Sequence, residues 1–90
     1  MDKPQPYKTT AVWTDQTLPA AIRAAHSTKE GTWGLLRVLE GEVRLVWEDG
    51  SGEEQVTPGS PGLIPPQKVH HVEVEGPARM QVEFYREKPA

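Results

Sequence analysis

The sequence predicts an all-β chain, an antiparallel sandwich or barrel of short strands. Three observations lead there. Eight glycines and nine prolines in ninety residues cut the chain into pieces of strand length, a spacing that a helical bundle would not tolerate. Between those breaks apolar and polar residues alternate with a period of two. Only one short segment has the composition of a helix.

That segment comes first along the chain. "TLPAAIRAAHSTK", residues 17–29, holds four alanines, a proline placed for a first helical turn and Thr17 as a cap, all favouring helix. A helix of about eight residues draws little from propensity alone and exists only if it is packed. Because every neighbour reads as a strand, an extended segment is expected here.

The clearest strands follow in "GLLRVLEGEVRLVWEDGSGEE", residues 34–54. Leu36 and Val38 share one face, Glu40-Gly41 turns the chain, and Val43, Leu45 and Trp47 alternate with Arg44, Val46 and Glu48. This reads as a hairpin closed by Asp49-Gly50. Gln55 to Thr57 adds a short strand, and "PGSPG" (58–62) is a turn or corner by its ring and glycine constraints. Leu63-Ile64 precedes Pro65-Pro66. Alternation returns from His70 to Glu75, and a last strand runs from Ala78 to Tyr85 with Met80, Val82 and Phe84 on one face.

Ninety residues make one domain, 1–90, since so short a chain cannot divide its core. A net charge of -3 spread along the chain leaves no basic stripe for phosphates, so neither nucleic acid nor an anionic membrane is an expected partner. No cysteine occurs, which excludes disulfides, thiolate metal sites and cysteine nucleophiles. "MDKPQPYK" has no apolar run after its charges and reads as neither a secretory signal nor a span. A cytoplasmic location is expected.

Chemistry concentrates in "HHVEVE", residues 70–75. Parity puts His70, Val72 and Val74 on one face and His71, Glu73 and Glu75 on the other. With the valines inward, His70 points into the interior and His71 out. An inward histidine needs partners for its ring nitrogens, and these are either backbone groups or, in a pocket, a metal, a carboxylate or a bound molecule. Glu53-Glu54 and Glu73-Glu75 lack the spacing of an acid and base couple. His26-Ser27 are adjacent without a nucleophile elbow, so acyl transfer is not expected.

Two stretches resemble the cupins. Gly59, Pro65, Gln67 and His70 follow the spacing of the second cupin motif, with Gln67 where a glycine is usual and Val74 where an asparagine is usual. "RVLEGEV" (37–43) resembles the strand and turn that end the first motif. That motif's own ligands are missing: Gly34 stands at its glutamate position and Ser27 to Glu30 where its histidines belong, with His26 just outside. Four stretches in order, "HSTKEGTWG" (26–34), "VLEGE" (38–42), "PPQKVHHVE" (65–73) and "VEFYR" (82–86), resemble the small cupin-like domain in front of the methyltransferase of TehB-like tellurite-resistance proteins, also found alone in the YeaR type.

The resemblance implies a small single-domain cupin-like antiparallel β-barrel, a jelly roll, with a pocket near His26 and His70. A divalent ion (Zn²⁺, Ni²⁺ or Fe²⁺) held by His26 and His70 is implied with it, Glu83 serving as third ligand or as anchor for an imidazole, and the adjacent His71 is the other candidate metal ligand. Trp33 would wall the pocket, and Lys29 and Arg37 would steer an oxyanion such as tellurite toward it. Cupin habit also implies a homodimer, for which Trp47 and the hairpin offer apolar surface. Without a glycine-rich nucleotide loop or room for a methyltransferase fold, this chain does not perform methylation itself. Three functions stand open: a metal- or ligand-binding domain linked to tellurite or oxidative stress, a non-catalytic interaction module with a filled barrel, and a small metal-dependent oxygenase or isomerase.

Overall fold

Alternating burial builds the framework. In the computed structural model, which describes residues 5–89, the two longest strands are β3 (Trp33–Glu40) and β8 (Arg79–Tyr85). They pair antiparallel with Leu36 opposite Val82 and Val38 opposite Met80. All four side chains are buried, so the inward face is the one their parity predicts. Short strands complete this first sheet: β6 (Gly62–Ile64) on the far side of β3, and β1 (Lys8–Thr9) and β2 (Trp13–Thr14) along β8.

The second sheet has three strands in the order β5-β4-β7, namely β5 (Gly52–Val56), β4 (Val43–Trp47) and β7 (His70–Glu73). Val43, Leu45 and Trp47 from β4 and Val72 from β7 meet Leu36, Val38, Met80 and Val82 between the sheets. The all-β class is therefore adopted, as two sheets packed face to face. No closed barrel forms among the described residues, because no ladder joins one sheet to the other.

The expected hairpin across Gly41 is not formed. Strands β3 and β4 lie in different sheets, so Gly41-Glu42 is an arch that carries the chain from one layer to the other. Two local features make it. The β3–β8 register shifts between Val38 and Glu40, a bulge that bends the strand. Gly41 then takes φ +77°, with its α-carbon packed so closely on the Pro77 carbonyl that a β-carbon would collide with it. The true hairpin joins β4 to β5 through Glu48–Ser51, pairing Trp47 with Gly52.

The alanine-rich segment is divided. One helical turn, α1 (Ala20–Arg23), starts after Pro19, as a proline at a helix start permits. Thr17 does not cap it; its hydroxyl accepts the Thr14 amide at 2.8 Å. By Ala24 the backbone is extended again (φ -101°, ψ 161°), and His26 forms a single antiparallel bridge to His70. Leu18, 5% exposed, packs into the core beside the turn. The reading of "MDKPQPYK" rests partly on residues 1–4, which lie outside the described residues. No helix among the described residues is long and apolar enough to cross a membrane.

Candidate functional site

The site begins with one backbone pairing. His26 and His70 exchange both main-chain hydrogen bonds, His26 N–H to His70 O at 2.9 Å and His70 N–H to His26 O at 2.8 Å. Residues paired in this way project their side chains to the same face. The two imidazoles meet there with ring centres 4.3 Å apart and planes tilted by 58°. Trp47 of β4 forms a T-shaped pair with His70, ring centres 5.8 Å apart.

Each ring is held by its own backbone. His26 Nδ1 donates to Ala24 O at 3.0 Å and His70 Nδ1 to Lys68 O at 2.8 Å. A carbonyl oxygen only accepts, so Nδ1 carries a proton in both rings, and in a neutral ring Nε2 is then the acceptor. The Nε2 of His70 has no partner among the described residues, yet no fully enclosed side-chain nitrogen lacks one, so this atom opens onto accessible space. His70 is otherwise buried, 1% exposed. Burial pushes its pKa below the usual histidine value, helped by the neighbouring His26 and His71 and opposed by the bond to Lys68 O.

Both histidines line a cavity of about 370 Å³ between the sheets. Leu36, Ile64, Val72, Val82 and Phe84 make its apolar walls, and Lys8, Ser27 and Lys29 stand at its rim. The rim is tied together by Gln67, whose N–H donates to Thr28 O at 3.0 Å. Gln67 has φ +63°, a left-handed backbone that favours glycine.

The remaining sequence-predicted residues lie elsewhere. Trp33, Arg37 and Glu83 face outward from the first sheet and do not line the cavity. Arg37 Nε donates to Glu83 Oε1 at 2.8 Å, and the Tyr85 hydroxyl donates to the same oxygen at 2.8 Å. This carboxylate is thus engaged with its own sheet, and its hydrogen bond raises the Arg37 pKa further. His71 points outward from β7, as its parity requires, with Nε2 on Glu73 at 2.7 Å and Nδ1 on Glu48. The two carboxylates raise its pKa above the usual value. Trp47, 9% exposed, is core.

Reasoning from sequence missed Lys8 and Phe84 as lining residues. The parity of Phe84 with Val82 was the available signal for one; nothing local marks Lys8, which arrives only because β1 pairs with β8. A second, wider concavity of about 710 Å³ lies over the outer face of the second sheet. It is spanned by its own charges, Arg44 pairing with Glu73 at 2.8 Å and Glu75 at 2.7 Å.

The TehB-like domain model matches residues 8–82. The chain belongs to the TehB-like family.

Two curated relatives of this TehB-like domain, from Haemophilus influenzae strains 10810 and KW20/Rd, are named probable S-adenosyl-L-methionine-dependent methyltransferase TehB. Each is 40% identical over 72 residues, covering 74% of this chain and 25% of the relative. The crystal structure of TehB from Haemophilus influenzae superposes with a TM-score of 0.81 at 34% identity, over 93% of this chain and 32% of that one. A crystal structure from E. coli strain K12 gives a TM-score of 0.81 at 23% identity over 100% of this chain and 96% of the other, and shows the fold alone. The TehB-like domain thus spans about a quarter of the curated relatives it matches.

These findings overturn the divalent ion. The cofactor in the relatives' name is S-adenosyl-L-methionine, an organic sulfonium compound. The side chains agree: among the described residues no three of His, Cys, Asp or Glu converge on one point. Two imidazoles meet without a third donor, since Glu83 is engaged on the outer face and His71 faces away.

Proposed function

We propose that the TehB-like domain is a small-molecule-binding module linked to tellurite resistance, non-catalytic by itself, whose ligand enters the cavity at His26 and His70. The observation that carries this reading is the cavity. A domain of this size packs its interior at crystal density when it has no use for space, whereas about 370 Å³ here lies beside two imidazoles whose Nε2 atoms have no partner among the described residues, a size within the range of small-molecule sites. A module with a filled interior is disfavoured by the same observation.

The relatives' methyl-transfer chemistry belongs, on this reading, to the three quarters of their length that this chain does not match. The 90-residue sequence holds no glycine-rich nucleotide loop, and Lys8 and Lys29 at the rim suit an anionic ligand better than a sulfonium cation. We read the two-sheet sandwich as an opened jelly roll of the cupin type, and the likeness to the YeaR type and a cytoplasmic setting belong with that reading. It treats residues 1–90 as one module.

The test is a titration of the ¹⁵N-labelled chain with tellurite and with a panel of small organic anions. The amides of His26, Lys29 and His70 should shift together for at least one of them, and His70→Phe should abolish the response while preserving the fold. If every member of the panel leaves those amides unmoved at millimolar concentration, the reading fails.

A further inference from the structure

The cavity is not the same chemistry throughout. Its floor is made mostly of apolar side chains with almost no exposure, Leu36 at 1%, Val72 at 3%, Ile64 at 4% and Val82 at 6%, with His70 and Thr32 the buried polar residues among them. Lys8 and Lys29 are exposed, which places them at the mouth. Among the described residues no carboxylate lines this cavity, although the chain carries 13 acidic residues against 10 basic ones. Neither lysine makes an ion pair with a described residue; the bridges involve Arg37, Arg44, Lys68, His71 and Arg79. Two ammonium groups without an ion pair among the described residues therefore border an apolar hollow in a protein of net charge -3.

A bare inorganic oxyanion fits the mouth but not the floor. Removing a compact anion from water requires donors around it, and Leu36, Ile64, Val72 and Val82 have none. A purely apolar molecule fits the floor and leaves the lysines unused. Resting on the small-molecule reading above, we propose that the ligand is a free amphipathic organic anion, with an apolar body of about ten to twenty heavy atoms seated between the sheets and a carboxylate, sulfonate or phosphate head between Lys8 and Lys29. Burial of the body contributes affinity in proportion to the apolar area it removes from water. The head sets orientation and on-rate through the two ammonium charges.

Four probes separate the alternatives in one experiment. The labelled chain is titrated with octanoate, octanol, acetate and tellurite at constant pH and ionic strength, following the methyl signals of Ile64, Val72 and Val82 and the amides of His26 and Lys29. Octanoate should move both sets and bind at least tenfold more tightly than octanol or acetate. The double variant Lys8→Ala/Lys29→Ala changes two exposed side chains and should bring octanoate down to the affinity of octanol, with octanol itself unaffected. Sedimentation with phosphatidylglycerol vesicles should leave the protein in the supernatant; pelleting would overturn a free ligand in favour of a membrane lipid. Equal affinity for octanol and octanoate would overturn the anionic head. Tellurite or acetate binding as tightly as octanoate at the same amides would overturn the apolar body while the small-molecule reading survived. Silence from all four would remove both.

Discussion

His26 and His70, forty-four positions apart in the chain, form one hydrogen-bonded antiparallel pair whose rings sit 4.3 Å from centre to centre. The two rings have unequal surroundings. His70 is enclosed by Trp47, Val72 and the floor of the cavity, while His26 is half-buried at its edge. Truncating a buried ring forfeits its packing and leaves the Lys68 carbonyl without its donor. His70→Ala should therefore lose about 2–4 kcal/mol in urea unfolding, and His26→Ala less than about 1 kcal/mol. Equal losses would mean that the rings do not differ in burial as described.

The adjacent histidines His70 and His71 should titrate in opposite directions from 6.5, which NMR of their ring protons reads directly. The folded pKa of His71 is raised by Glu73 and Glu48. Its contribution to stability is then fully present below the unfolded value and is lost as pH rises through the folded value. The folded pKa of His70 is lowered by burial, so its contribution is present above 6.5 and is lost as pH falls toward the folded value. His71→Gln should accordingly cost most below pH 6.5 and progressively less above it. A variant equally destabilised at every pH would contradict the pairing with Glu48 and Glu73.

Two left-handed glycines offer a controlled comparison. Gly41 (φ +77°) lies against the Pro77 backbone, whereas Gly50 (φ +83°) has no neighbour within 4 Å of where a β-carbon would stand. Gly50→Ala incurs the conformational penalty alone, about 1 kcal/mol. Gly41→Ala adds a collision with main-chain atoms that cannot move aside, and should lose more than about 3 kcal/mol in denaturant unfolding or fail to fold. Similar losses at the two sites would show that the arch does not pack on Pro77.

Gln67 supplies the converse case. A residue with a β-carbon is held at φ +63°, where glycine carries no steric penalty. Gln67→Gly should stabilise the domain by about 0.5–1 kcal/mol, the steric relief exceeding the larger entropy of the unfolded chain. Gln67→Ala should be neutral. Loss of stability in Gln67→Gly, measured by thermal unfolding, would contradict the left-handed geometry.

Much of the strand content was readable because period-two alternation responds to burial on one face, and the same rule oriented His70 inward and His71 outward. The hairpin across Gly41 was misassigned for a related reason: an arch and a hairpin share the same alternation and the same glycine. Only the choice of partners distinguishes them, and β3 takes β8 and β6 while β4 takes β5 and β7. The site residues divided likewise. Glu83 and Arg37 carry charges that suit a pocket, yet their parity is outward and they satisfy each other on the surface of the first sheet.

By itself the sequence determined the class of the fold, the faces of its strands and the inward aim of His70, because each follows from side-chain periodicity within one segment. Tertiary structure alone decided that two sheets form without closing, that His26 arrives beside His70, and that Lys8 and Lys29 border an apolar hollow. Those outcomes depend on pairings between distant segments, whose backbone hydrogen bonds are nearly independent of residue type and so leave little trace in the order of the amino acids.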